Sequence, residues 1–404
     1  MKIPIFDTSI KQERLYCLDW LKVFAILMVF VLHNAHFFDF IDWNIKNSTE
    51  SSGMMLILLL IHFWCMPIFF LLAGAGTKFA LEHRTGKQYI GERIKRLIIP
   101  LGIGMMLLAP PQGYVENLSK LKFEGSFIDY YPCFFKNLPH TFNLEVFGAN
   151  TYHLWFLGFL FAFSIIALPL FVWLKTTIAQ KFISKIASFC DKKGVIFLFA
   201  LPILISHLVL RVSFPDYNDW ADFLYWFIYF VYGYLIFSHI KFEQAIKRHC
   251  KAALIIAIVC ILSIVAMLLG GFGIDGIAYP TYSVQSIIFM TIYSFLTWSW
   301  VIFMLSTGFK LLNFNNKFLE YSSEAVLPFY LLHQTIILII GFYVVQWDAS
   351  IIEKFLFIGS TSLIATIGIY DLFIRRINFS RFLFGMKSLK KQKKLPRLPL
   401  NNLG

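Results

Sequence analysis

LDWLKVFAILMVFVLHNAHFF, residues 18–38, is an apolar run of membrane-spanning length that carries ionisable groups at both ends, Asp19 and Lys22 near one and His33 and His36 near the other. At ~100° per residue, Lys22 and His33 fall within about 20° of one helical face, separated by ~16 Å along the axis. Ionisable groups in a span cost on the order of 2.5–3.5 kcal/mol each on insertion scales, and they face a bundle interior or a wet cavity. One stripe of such groups points to an interior path. The plainer reading is that Lys22 reaches the lipid headgroups and His33 bonds to a neighbouring helix.

The rest of the chain sets the class. Of 404 residues, 58% are hydrophobic and only 15% charged, with a mean hydropathy of +0.68; too few polar residues remain to cover a water-soluble domain. The pattern predicts an all-α, polytopic integral membrane bundle. About ten apolar stretches are long enough to cross the ~30 Å hydrocarbon core, near 18–38, 54–75, 93–112, 152–174, 194–212, 220–240, 251–270, 282–306, 323–346 and 351–374. The stretch at 93–112 is the most irregular, with charges at its start and Pro100, Pro110 and Pro111 within it. Basic residues before the first run, with no small-residue cleavage site after it, read as a retained helix. No internal repeat or linker divides the chain, so residues 1–376 form one membrane domain and 377–404 a basic tail. The six cysteines have no C-x-x-C spacing and read as small apolar side chains, not as metal ligands.

Lys and Arg collect in cytoplasmic loops. Ten spans with both termini in the cytoplasm put 30 of the 36 basic residues inside and leave six outside: Lys46, Lys120, Lys122, Lys136, Arg211 and Lys354. The net charge of +13 then faces anionic lipid, at ~1 kcal/mol per basic residue near the surface. Membrane lipid is the expected partner of the tail; no folded nucleic-acid reader accompanies it.

Five blocks carry a family resemblance. Lys22 and His33, in LDWLKVFAILMVFVLH, match the Arg/Lys-x10-His signature in the first helix of the acyltransferase 3 family of membrane acyltransferases, with Lys22 where many members have Arg. MPIFFLLAGAG (66–76) resembles the end of the family's second helix, GERIKRLIIP (91–100) its basic approach to the third, HLWFLGFL (153–160) a recurrent block, and EAVLPFYLLHQTIIL (324–338) the ninth-helix block. The resemblance runs from about Leu15 to about Arg376. It does not extend to members with an added SGNH domain. The last block and VLHNAHFF are closest in look to the branch that succinylates periplasmic glucans.

The resemblance implies transfer of an acyl group from cytoplasmic acyl-CoA, acetyl-CoA or succinyl-CoA, to a hydroxyl of an extracytoplasmic carbohydrate acceptor, in a multi-pass protein of the inner (plasma) membrane. An alcohol is a poor nucleophile, and imidazole, with an ordinary pKa near ~6.5, is suited to take its proton. His33 is the expected catalytic residue, as the base or as an acylated intermediate. His333, near the middle of the ninth span, and Glu324, at the expected start of that span, are the other catalytic candidates. For Glu324 a helix-capping role is an equal reading. Coenzyme A brings phosphate charges, so Lys22, Arg93, Arg96 and Lys95 are the expected donor-binding cations, with Asp19 pairing with and orienting Lys22. His36, His62, His153, His207, Trp64 and Trp155 are lesser candidates for the same cavity. The outer segment 111–150, with Tyr114, Tyr130, Tyr131 and Asn143, is an expected acceptor surface. The rival class is a transporter or flippase of an anion or a lipid-linked sugar; an inverted repeat, absent from this sequence, would mark it.

The basic-residue count makes a topological prediction. A reporter fused after residue 404 should report the cytoplasm and one inserted near Gly125 the exterior. Both reporters on one side would rule out the ten-span arrangement, which puts seven spans between the two points.

Overall fold

The computed structural model describes residues 15–136, 151–271 and 280–389. Among these there is no strand, and helices occupy each of the ten apolar stretches. Seven are long and apolar enough to cross a membrane: α1 (Tyr16–Ala35), α2 (Ser52–Glu82), α3 (Gly86–Ser119), and, numbered by their place among the ten, α7 (Cys250–Leu269), α8 (Val284–Leu311), α9 (Lys317–Val344) and α10 (Ile351–Ile374). Two more qualify as bent pairs. Tyr152–Ile166 and Leu168–Leu174 meet at 48° and together form α4; Trp220–Ile236, here α6, turns by 109° into Ile240–Arg248. The stretch expected at 194–212 is the shorter helix α5 (Val195–Arg211). The chain is a multi-pass membrane protein.

Polar side chains fix where the helices begin. Thr85 and Ser350 form capping boxes with Gln88 and Glu353, and Thr176, Asp219, Ser283 and Asn316 each accept a backbone N–H of the following turn, meeting donors that hydrocarbon would leave unsatisfied. Asn316 starts α9 at Lys317, so the span begins ahead of the expected residue 323 and Glu324 lies two turns inside the helix. Prolines shape α3 without ending it. A π turn at Ile94–Ile98 precedes Pro100, and the chain kinks at Leu108, after which Pro110 and Pro111 occupy the first turn of a new helix that runs to Ser119. Proline is tolerated there because its missing N–H has no intrahelical partner to lose. Much of the expected outer loop is therefore helical, including Phe127–Lys136, where Tyr114 and Tyr130 pack ring against ring at 5.7 Å. Asn143 lies outside the described residues.

α1 packs against α2, α8, α9 and α10 and is the centre of the bundle. α7 is peripheral: Ala253, Ala257, Cys260 and Ile264 form one buried stripe toward α8, while Ile255, Val259 and Leu262 are exposed as a lipid-facing surface. Beyond residue 376 the chain folds back. Arg381, in Asn378–Leu383, is buried on Glu324, and Gly385, at φ +69°, brings its backbone against Leu327 of α9 and the carbonyl of Arg96. Residues 390–404 lie outside the description.

The tightest helix crossing joins α2 and α6. A Cβ added to Gly74 would stand 1.9 Å from the carbonyl oxygen of Phe230, and one added to Gly233 would stand 1.8 Å from that of Leu71. Backbone cannot yield as a side chain does. Gly233→Val should force the two helices apart at a cost beyond the ~1–3 kcal/mol of ordinary overpacking, read as loss of monodisperse protein in detergent. A wild-type elution profile and melting temperature would contradict this crossing.

Candidate active site

A cavity of about 690 Å³ runs beside α1, lined by Lys22 at one end, by His33 farther along and by His36, Asp42, Trp43 and Asn44 at the other. Lys22 and His36 are ~21 Å apart along the helix. A second cavity of about 510 Å³ adjoins it and shares Lys22; Asp19, His83, His239 and Glu243 line this vestibule. The stripe noted in the sequence therefore faces an interior path.

At mid-chamber, His33 Nδ1 lies 3.0 Å from Nε2 of the fully buried His333, with the rings parallel within 9° and their centroids 5.1 Å apart. The other nitrogen of His333, Nδ1, lies 2.7 Å from the carbonyl oxygen of Tyr330 and 3.2 Å from that of Phe329. A carbonyl only accepts, so His333 Nδ1 carries the proton. In neutral imidazole the opposite nitrogen is then a lone pair. His333 Nε2 therefore accepts from His33 Nδ1–H, and the lone pair of His33 is left on Nε2. Two backbone carbonyls of α9 fix the tautomer of a histidine on α1.

His153 completes the cluster. Its ring stands edge-on to His333 at 5.3 Å, its Nε2–H donates to the Leu331 carbonyl at 3.1 Å, and its own carbonyl accepts the Tyr330 hydroxyl. Trp43 covers the far end, stacked on His36 at 5.1 Å and near-parallel to His33 at 6.0 Å. The loop carrying Trp43 is held by Asp39, which pairs with His36 at 2.7 Å and with Lys46 at 3.0 Å, while Lys46 also donates to the His36 carbonyl. Burial works to raise the Asp39 carboxyl, but the bonds from His36, Lys46 and the Ile41 amide outweigh it and hold the group below its ordinary range.

The remaining sequence candidates separate. Asp19 Oδ1 is 3.4 Å from Lys22 Nζ, as anticipated, and His62 and Trp155 line the chamber. Trp64 instead stacks on Phe24, and His207 packs against Tyr225 and Tyr293. Arg93 donates to Thr77 Oγ1 at 3.0 Å with its guanidinium over Tyr89, Arg96 pairs with Glu92 at 3.4 Å, and Lys95 is exposed. None of the three lines either cavity. A π turn begins at Ile94, between Arg93 and Arg96. Glu324 is not brought to the histidines. Its carboxylate is taken by Arg381 at 2.5 Å and Arg375 at 3.8 Å. Trp43, Tyr217 and Tyr330 were not singled out by residue type, since aromatic side chains abound in this chain.

A paired imidazole aimed into an enclosed passage through a membrane bundle suits transfer of a group between partners arriving from opposite ends. The acyltransferase domain family model matches residues 15–373, and the chain belongs to this acyltransferase 3 family. It is an acyl-transferring membrane enzyme, which decides against the transporter reading. Among curated proteins it is similar to glucans biosynthesis protein C of Salmonella heidelberg (strain SL476) and of Salmonella agona (strain SL483), each 24% identical over 402 residues covering 95% of this chain and 98% of the relative. No solved structure matches.

The Arg381–Glu324 pair yields a prediction. Glu324→Gln should lower the melting temperature, because it leaves the buried Arg381 without its counter-charge, while transfer per folded molecule stays at wild-type level. Loss of activity in fully folded Glu324→Gln protein would return Glu324 to the catalytic group.

Proposed function

We propose that this chain moves an acyl group, of acetyl or succinyl type, from an acyl-CoA at the Lys22 end of the chamber to a hydroxyl of a carbohydrate at the Trp43 end, with His33 as the base. The observation that carries the reading is the His33–His333 hydrogen bond, which leaves a lone pair on His33 Nε2 in a chamber lined from Lys22 to Asn44. The similarity to proteins named for glucan biosynthesis supports the carbohydrate class. The distribution of basic residues supports a cytoplasmic Lys22 end, hence the inner (plasma) membrane and a cytoplasmic donor.

In this reading the acceptor hydroxyl gives its proton to His33 Nε2 as its oxygen adds to the thioester carbonyl. The tetrahedral intermediate collapses, the carbon–sulfur bond breaks, and the thiolate recovers that proton from His33. His333 accepts from His33 Nδ1–H throughout and steadies the imidazolium. Lys22, oriented by Asp19, meets donor phosphate charge at the vestibule it shares with the chamber. Arg93, Lys95 and Arg96 act from the same end as a more distant attraction for the anion.

The test is release of CoA thiol by purified protein from acetyl-CoA or succinyl-CoA, with and without a glucan oligosaccharide. His33→Ala should lower transfer by ~10²-fold or more with expression and CoA binding unchanged. His33→Gln, which keeps a hydrogen-bonding group but cannot take the proton, should be as inactive. Substantial activity in His33→Gln would make His33 a structural partner and His333 the base.

A further inference from the structure

Residues 217 and 218, in the loop 212–219, line the chamber on a frame of charged and polar groups. The loop joins α5 to α6, and its ends are tied by an ion pair between the half-buried Arg211 and the buried Asp222. The second oxygen of Asp222 accepts the backbone N–H of Asn218 at 2.8 Å, and Asp219 caps α6 by accepting from the N–H groups of Ala221 and Asp222. Asn218 sits at φ +65°, a left-handed conformation that costs a non-glycine residue on the order of 1 kcal/mol and persists only where the surroundings enforce it. Asn218 and Asp219 are buried. Tyr217, just before them, is 58% exposed, lines the same chamber as His33 and stands edge-on to Trp155 at 5.8 Å. A half-buried charge pair and a left-handed asparagine together hold one tyrosine in the passage.

The chemistry of the chamber leaves a place for it. Addition of a hydroxyl to a thioester puts negative charge on the carbonyl oxygen, and a positioned donor there stabilises the transition state. Several donors of the chamber are engaged elsewhere: His33 Nδ1 with His333, the Tyr330 hydroxyl with the His153 carbonyl, His153 Nε2 with Leu331, and the Asn44 amide with Glu116. The Tyr217 hydroxyl has no hydrogen-bond partner among the described residues. We propose that Tyr217 is a catalytic residue whose hydroxyl donates to the oxyanion of the tetrahedral intermediate, and that Asn218, Asp222 and Arg211 are the positioning residues that hold it there. The inference rests on the transferase reading. As the acceptor oxygen bonds to the carbonyl carbon and its proton passes to His33, the carbonyl π pair moves onto the oxygen facing Tyr217. It returns when the thiolate departs and takes the proton from His33.

Tyr217→Phe keeps the ring and removes only the donor. With the donor that wild type turns over and a glucan oligosaccharide as acceptor, it should lower kcat by ~10²-fold and leave KM for both substrates within about twofold. A trifluoromethyl-ketone analogue of acetyl-CoA, which presents a tetrahedral oxygen, should bind Tyr217→Phe at least tenfold more weakly than wild type, while CoA itself binds both equally. Full activity in Tyr217→Phe, or loss confined to KM in Tyr217→Ala, would make Tyr217 a packing surface and overturn the proposal. Wild-type protein that neither binds CoA nor releases thiol would instead overturn the transferase reading, and this inference with it.

Discussion

The hydrogen bond between His33 and His333 joins two helices 300 residues apart in sequence at the depth where hydrocarbon tolerates an unpaired polar group least. Its direction is set from outside the pair, by the Tyr330 and Phe329 carbonyls. Those carbonyls belong to α9 itself, so the proton arrangement on the His33 ring is as rigid as a helix backbone. The surrounding bundle keeps this contact in place: α1 is enclosed by α2, α8, α9 and α10, and α2 is drawn onto α6 by the glycine crossing at Gly74 and Gly233. Polar groups in the protein interior are thus arranged in series. His153 binds Leu331 and receives Tyr330 on its carbonyl, and the chain of bonds around His333 leaves few of its neighbours free to take other partners.

The two ends of the chamber are built differently. At the Lys22 end, charged and ionisable side chains of both signs line a vestibule. At the other end, a short loop anchored by Asp39 lays the Trp43 ring over His36, and an aromatic face of that kind suits the apolar side of a sugar ring. The two ends therefore differ in chemistry, one charged and one aromatic.

The sequence made the all-helical membrane class legible, because hydrocarbon demands long apolar segments and marks any charge inside them. It also exposed the Lys22–His33 stripe, since eleven residues bring a regular helix back to the same face. Regularity is what failed elsewhere. A π turn interrupts α3 between Arg93 and Arg96, Asn316 starts α9 a turn and a half ahead of the expected position, and Glu324 meets Arg381, a residue assigned to a basic tail lying on lipid. Tyr217 had no signature in composition or spacing. Its placement depends on Asn218 adopting a left-handed conformation and on a charge pair formed across a loop, both products of tertiary structure.

The chamber also bears on permeability. A passage lined by Lys22 at one end and Asp42 at the other leaves only a thin partition between two aqueous phases, and a continuous water file through it would short-circuit the membrane potential. The stretch between them alternates apolar side chains, among them Val29, Leu32, Phe69, Leu72, Val326 and Leu327, with the polar His33, His62, Tyr330 and Gln334. Apolar patches shed water, and polar groups between them hold it. The barrier to leakage therefore has to reside in the aliphatic patches that interrupt the polar side chains, so that packing of residues such as Leu72 and Leu327 bears on ion tightness as well as on shape.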